Sequence, residues 1–62
     1  MLSKTELTTA RLFLQHAHAS VLWVATLFHG AGNVGGTARL KTIAAQLSDA
    51  LRDIDALLKS FP

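Results

Sequence analysis

Three histidines are the residues of this sequence best suited to bind a transition metal, because the chain has no cysteine. His16 and His18 are two positions apart, so a helix would point them in nearly opposite directions. Metal-binding pairs on a helix are spaced by three or four residues, and His29 lies about three turns beyond His18. The spacing predicts no metal site within one chain, and we expect no cofactor.

A serine and a histidine at helical spacing are the other candidates for chemistry. Ser20 follows His16 by four residues. Nucleophilic catalysis also needs an acidic residue that orients the imidazole, and no acidic residue follows at helical spacing on that side. We therefore expect that the chain is not an enzyme.

The glycine-rich segment has two interpretations. Residues 30–35 match the pattern G-x-G-x-x-G of dinucleotide-binding loops, but that loop needs a preceding β-strand, where a helix is expected here. The segment is therefore predicted to be a turn. The second interpretation is an anion site at the start of the next helix, where free amides and the helix dipole attract phosphate or carboxylate. Its candidate residues are Gly35, Gly36, Thr37, Arg39 and Lys41.

The first helix is predicted over about residues 4–29. Ser3 and Glu6 have the spacing of a capping box, in which each side chain accepts a hydrogen bond from a backbone amide at the helix start. Gly30 is expected to supply the left-handed residue that ends the helix. Residues 30–36 are the only cluster of helix breakers and are expected to form the loop.

The second helix is predicted over about residues 38–61. Thr37 is its expected N-cap. Asp55 is expected on its solvent side, where Lys59 follows at the favourable i, i+4 spacing. The two helices are then nearly equal in length, as an antiparallel pair requires.

Apolar residues recur every three or four positions in both helices, which places one apolar seam on each. The two seams align when the chain folds back at the glycines, and no layer sets alanine against alanine. The predicted fold is all-α: a single domain over residues 1–62, built as an antiparallel two-helix hairpin. The predicted layers are Leu7 with Phe61, Ala10 with Leu58, Leu14 with Ile54, Ala17 with Leu51, Val21 with Leu47, Val24 with Ala44, and Phe28 with Leu40.

The first helix carries a second apolar stripe, about 160° around from its seam at 100° per residue. A helix that is apolar on two sides is usually buried on two sides, and a hairpin covers only one. We expect a homo-oligomer, in the form of a homodimer that builds a four-helix bundle; a different protein, a membrane surface and simple exposure to solvent are the alternatives. The predicted interface residues, named the back stripe, are Leu12, Phe13, His16, Ala19, Trp23 and Leu27.

The composition favours a small protein that needs a partner. Half of the 62 residues are hydrophobic and only 16% are charged, although a small domain has much surface to keep in contact with water. No disulfide can support the fold. Polar residues such as Gln15 and His18 interrupt the apolar stretch 12–28, which argues against a membrane span, so we expect a cytoplasmic protein without a membrane partner.

The residues thus favour binding over catalysis. We expect a small non-enzymatic protein-interaction module, such as an adaptor, inhibitor or regulator, that acts as a helical-hairpin oligomer. The alternative is a nucleic-acid-binding hairpin dimer that uses Arg39, Lys41 and the loop amides. Its support is limited, because the net charge of +2 comes from scattered residues.

Overall fold

A computed structural model describes residues 2–62 as two α-helices joined by a short loop. Helix α1 spans Lys4–Gly30 and helix α2 spans Val34–Lys59. The helices pack against each other along the hairpin, which measures 48 × 15 × 14 Å. The part of the chain that the structure describes contains no strand. The predicted all-α, two-helix hairpin is therefore confirmed.

The start of α1 is fixed by the predicted capping box. The Ser3 hydroxyl accepts a hydrogen bond from the Glu6 amide at 3.1 Å, and the Glu6 carboxylate accepts one from the Ser3 amide at 3.0 Å. These bonds satisfy two amide groups that have no partner within the helix. No residue breaks the helix before Gly30, so α1 ends within one residue of the prediction.

The start of α2 differs from the prediction by one helical turn. The N-cap is Asn33 rather than Thr37, and its side-chain oxygen accepts a hydrogen bond from the Gly36 amide at 2.8 Å. Asparagine is among the most favourable N-cap residues, and a glycine in a helix costs only about 1 kcal/mol relative to alanine. Gly35 and Gly36 therefore lie in the first turn of α2 rather than in the loop.

The loop itself is only residues 31–33. Gly32 is the one described residue with a positive φ, 76°, a value that glycine adopts without strain. The left-handed residue is thus Gly32 and not Gly30, which ends α1 in helical conformation. Because the loop is short, the end of α1 lies close to the start of α2.

Gly36 has a packing role that explains why a glycine lies inside α2. A Cβ atom at this position would lie 2.5 Å from Cδ2 of the Phe28 ring and 3.0 Å from the Asn33 side-chain oxygen. The ring of Phe28 therefore rests on the bare backbone of Gly36. At Gly35, by contrast, a Cβ would meet nothing within 4 Å.

The core is small. Four of the described residues are buried: Leu7, Ala25, Thr37 and Ala44. Three of these have short side chains and lie toward the loop, where they allow the helix axes to approach closely. Apart from Phe28, the remaining residues of both predicted seams are half-buried.

The structure supports the predicted register at both ends of the hairpin. Leu7 and Phe61 line one shared hollow, and Phe28 and Leu40 line another. Ala25 was not assigned to the seam of α1, but it is more deeply buried than its neighbour Val24. The seam is therefore centred closer to Ala25 than the spacing alone predicts.

Candidate functional site

The back stripe is exposed along α1. Phe13 and Trp23 are 66% and 65% exposed, and Leu12 and Leu27 are each about half exposed. His16 and Ala19 are exposed between them. The structure places all six predicted interface residues on the outside of the hairpin, where a partner can reach them.

Beyond Arg11, the exposed surface of α1 is unusual because it lacks charge. Residues 12–30 contain no Asp, Glu, Lys or Arg. The polar groups in this stretch are amide, imidazole and hydroxyl groups, and the Thr26 hydroxyl donates a hydrogen bond back to the Leu22 carbonyl. Large contiguous apolar patches on protein surfaces occur at sites that bind proteins, membranes or ligands.

A second apolar surface is shared by both helices, so the spacing along either helix alone shows only that helix's part of it. The contact between Phe28 and Gly36 shows which side of α1 adjoins which side of α2. Ile43 follows Gly36 by seven residues, and a step of seven returns a helix to within about 20° of the same direction. We name this surface the paired flank; its residues are Phe13, Ala17, Val24, Ile43, Ala50 and Leu57.

The paired flank is apolar and incompletely covered. Leu57 is 52% exposed, and Ile43 is also exposed. Ala17, Val24 and Ala50 are half-buried. Phe13 belongs to both surfaces, so the apolar area of α1 continues without interruption from the back stripe to the paired flank.

The opposite side of the hairpin carries an ion pair between the helices. Nε of Arg11 lies 2.5 Å from a carboxylate oxygen of Asp55 and donates a hydrogen bond to it across the two helices. The predicted pairing of Asp55 with Lys59 is therefore replaced by a link between helices. Both side chains are about 40% exposed, so the pair contributes at most about 1 kcal/mol, and it marks the side of the hairpin that faces water.

The residues of the candidate anion site fall into two groups: Gly35, Gly36 and Arg39 line one hollow, whereas Thr37 and Lys41 line another. The amides of Gly36 and Thr37 both donate hydrogen bonds to Asn33, and the Thr37 hydroxyl donates to the Asn33 carbonyl. Arg39 and Lys41 lie on opposite sides of α2 and line separate hollows. The Gly36 and Thr37 amides are thus occupied within the chain, and only one of the two cations lies beside the glycines.

The three histidines are also separate. His16 and His29 are exposed, and His18 is half-buried. Within residues 2–62 no three histidine or carboxylate side chains come together as a metal site would require. His29 lines an open hollow of about 280 Å³ with Leu22 and Lys41 near the loop.

Neither helix of the described residues combines the length and the hydrophobicity needed to span a bilayer. The chain matches no protein-family profile, no curated protein and no solved structure.

Proposed function

We propose that this chain is a cytoplasmic, non-enzymatic protein-interaction module, such as an adaptor, inhibitor or regulator. Its hairpins assemble with each other as a homodimer in a four-helix bundle, and its apolar surface contacts a further protein. The back stripe and the paired flank are the two surfaces available for these roles.

The observation that carries the proposal is the accessible surface area. The hairpin exposes 4666 Å², whereas a compact monomer of 6.6 kDa would expose roughly 3,900 Å². The excess is roughly 800 Å², which is about what one partner buries in a standard protein interface. An isolated hairpin is thus left with the area that association would remove from water.

The core supports the same conclusion. Leu7 is the only large apolar side chain among the buried residues of the described part of the chain. This chain has no disulfide that could compensate for its small core. Association would convert half-buried seam residues such as Leu51 and Ile54 into core residues.

Light scattering coupled to size exclusion tests self-association. At about 100 µM, a concentration suited to a moderately weak dimer, we expect twice the chain mass of 6.6 kDa. The mass should persist in about 1 M salt, because an apolar interface is not screened as charges are. A monomeric mass at both salt concentrations would contradict the proposal.

The nucleic-acid alternative has its own test. Binding through Arg39 and Lys41 would weaken steeply with salt, because cations bound to phosphate release counterions. A fluorescent RNA or DNA duplex titrated at low and high salt measures this directly. We expect no nucleic-acid binding at physiological salt. Binding that is abolished when Arg39 and Lys41 are both changed to Gln would establish the alternative.

A further inference from the structure

Along α2, the apolar residues of the paired flank are arranged symmetrically about Ala50. Ile43 and Leu57 lie seven residues before and after Ala50. When two copies of α2 run antiparallel and cross at Ala50, Ile43 of each copy meets Leu57 of the other. The two alanines then meet at the crossing, where small side chains let helices approach most closely.

The same symmetry occurs along α1 about Ala17. Phe13 and Val21 lie four residues to either side of this alanine, and Ala10 and Val24 lie seven residues to either side. An antiparallel pair of α1 helices that cross at Ala17 therefore sets Phe13 against Val21 and Ala10 against Val24. An alanine again occupies the crossing.

The two centres of symmetry lie at the same height in the hairpin. Ala17 and Leu51 share a layer in the register whose end layers the structure supports at Leu7 and Phe61. Ala50 is one residue from Leu51, which is about 1.5 Å along the helix axis. One axis can therefore pass through both alanine crossings.

We propose that the paired flank of one hairpin packs on the paired flank of a second copy, about a two-fold axis that passes through the Ala17 and Ala50 crossings. The inference rests on the proposed self-association and adds the face and the register that it uses. Each helix lies antiparallel to its own copy, and the two loops lie at opposite ends of a four-helix bundle. Apart from Phe13, the back stripe, which the sequence pattern predicts as the dimer interface, stays on the outside, where it is free to contact a different protein.

The area of each surface favours this assignment. A face of the hairpin 48 Å long and 15 Å wide offers roughly 700 Å², close to the roughly 800 Å² per partner of a standard interface. The back stripe lies on one helix and offers about half of that area. A stable dimer therefore needs the face to which both helices contribute.

In this arrangement the loop end of one copy lies beside the open end of the other. The loop end carries Arg39, and the open end carries Lys4, Glu6 and Lys59. Arg39 lines a hollow with Phe28, at the edge of the paired flank, and forms no ion pair within residues 2–62. Parallel stacking of the hairpins would instead place like ends together.

Single cysteines test the register, because the chain has none of its own. The variants Ala50→Cys, Ala19→Cys and Ala45→Cys make the same chemical change on the paired flank, on the back stripe and on the outer side of α2. With oxidised glutathione as oxidant, two thiols on a two-fold axis can form a disulfide, since their Cα atoms lie within about 7 Å. Non-reducing electrophoresis measures the rate of dimer formation.

We expect Ala50→Cys to cross-link about tenfold faster or more than Ala45→Cys, because thiols held together reach millimolar effective concentrations. Ala19→Cys should cross-link no faster than Ala45→Cys. If Ala19→Cys is the fast variant, the back stripe forms the dimer and the inference is wrong, although the proposed self-association stands. A monomeric wild type would overturn both.

Trp23 gives a second readout that needs no substitution. It is the only tryptophan and belongs to the back stripe, so its fluorescence emission should stay that of an exposed indole across the concentrations at which the mass doubles. A shift to shorter wavelength on association would bury Trp23 in the dimer and contradict the inference. Mass beyond that of a dimer would contradict it as well, because one two-fold axis closes the assembly at two copies.

Discussion

Two adjacent glycines at the start of α2 have opposite surroundings. Gly36 lies under the ring of Phe28, whereas Gly35 faces open space. Neither has a positive φ, so only the packing distinguishes them. Residue type alone predicts that both glycines break the helix. The structure shows that Phe28 requires a glycine at position 36, whereas no neighbouring side chain requires one at position 35.

Substitution of the two glycines measures this difference. Gly36→Ala should destabilise the fold by about 1–3 kcal/mol, as other overpacked sites do, because its methyl group would collide with Phe28. Gly35→Ala should stabilise it by about 0.4–1 kcal/mol, through the lower entropy of the unfolded chain. Thermal unfolding followed by circular dichroism checks both, and equal effects of the two changes would show that Phe28 does not rest on Gly36.

The capping box makes the stability of α1 depend on pH. The pKa of the Glu6 carboxyl is lowered from its ordinary value of 4.5, first by the hydrogen bond from the Ser3 amide and then by the Ser3 side chain. A lowered folded-state pKa means that this stabilisation is present above the unfolded pKa and is lost as pH falls through the folded value.

The melting temperature between pH 7 and pH 3 tests this expectation. The loss of stability on acidification should be smaller in Glu6→Gln than in wild type, because glutamine keeps an acceptor oxygen that does not titrate. Asp53→Asn is the matched control, since Asp53 is exposed and has no hydrogen-bond partner within residues 2–62. Wild type and Glu6→Gln losing equal stability would exclude the carboxylate of Glu6 from the cap.

At the scale of the helices, spacing and capping patterns predicted most of the fold. The Ser3 and Glu6 pattern located the start of α1, and the apolar period located both seams. The start of α2 was wrong by one turn, because Asn33 was assigned to the loop rather than to the N-cap. A glycine does not indicate a helix break where a neighbouring side chain packs against its backbone. At Gly36 that side chain is Phe28, which lies in the other helix.

The candidate site was predicted less completely than the fold. The back stripe follows from one helix taken alone, so its period is visible in the sequence. The paired flank and the link between Arg11 and Asp55 depend on how α1 and α2 are rotated against each other. A pattern along a single helix does not contain that rotation.

The packing of α2 against α1 is tested by Leu51→Ala. Leu51 is half-buried and faces Ala17 in the predicted register, so truncation would leave two small side chains opposite each other. We expect a loss of about 2 kcal/mol, at the low end for leucine truncation. Val34→Ala is the control, because Val34 is 81% exposed, and a loss in this control as large as in Leu51→Ala would show that Leu51 does not lie between the helices.

At the scale of the whole molecule, the hairpin exposes 4666 Å², more than the roughly 3,900 Å² of a compact monomer of the same mass. Its two apolar surfaces differ in kind: the paired flank is wide and symmetric, whereas the back stripe is narrow and lies on α1. A protein with one surface for itself and one for a partner can place two copies of a binding stripe at a fixed separation. In the proposed dimer this would give a bivalent module, whose affinity for a paired target would exceed that of either stripe.

We propose that association completes the folding of the hairpin, so its melting temperature should depend on protein concentration. Circular dichroism melts at about 5 µM and about 500 µM bracket the dissociation constant of a moderately weak dimer. If only the dimer is well folded, the melting temperature should rise by several degrees over this range, because mass action favours the associated state. An identical melting temperature at both concentrations would show that the hairpin folds alone and would contradict the account.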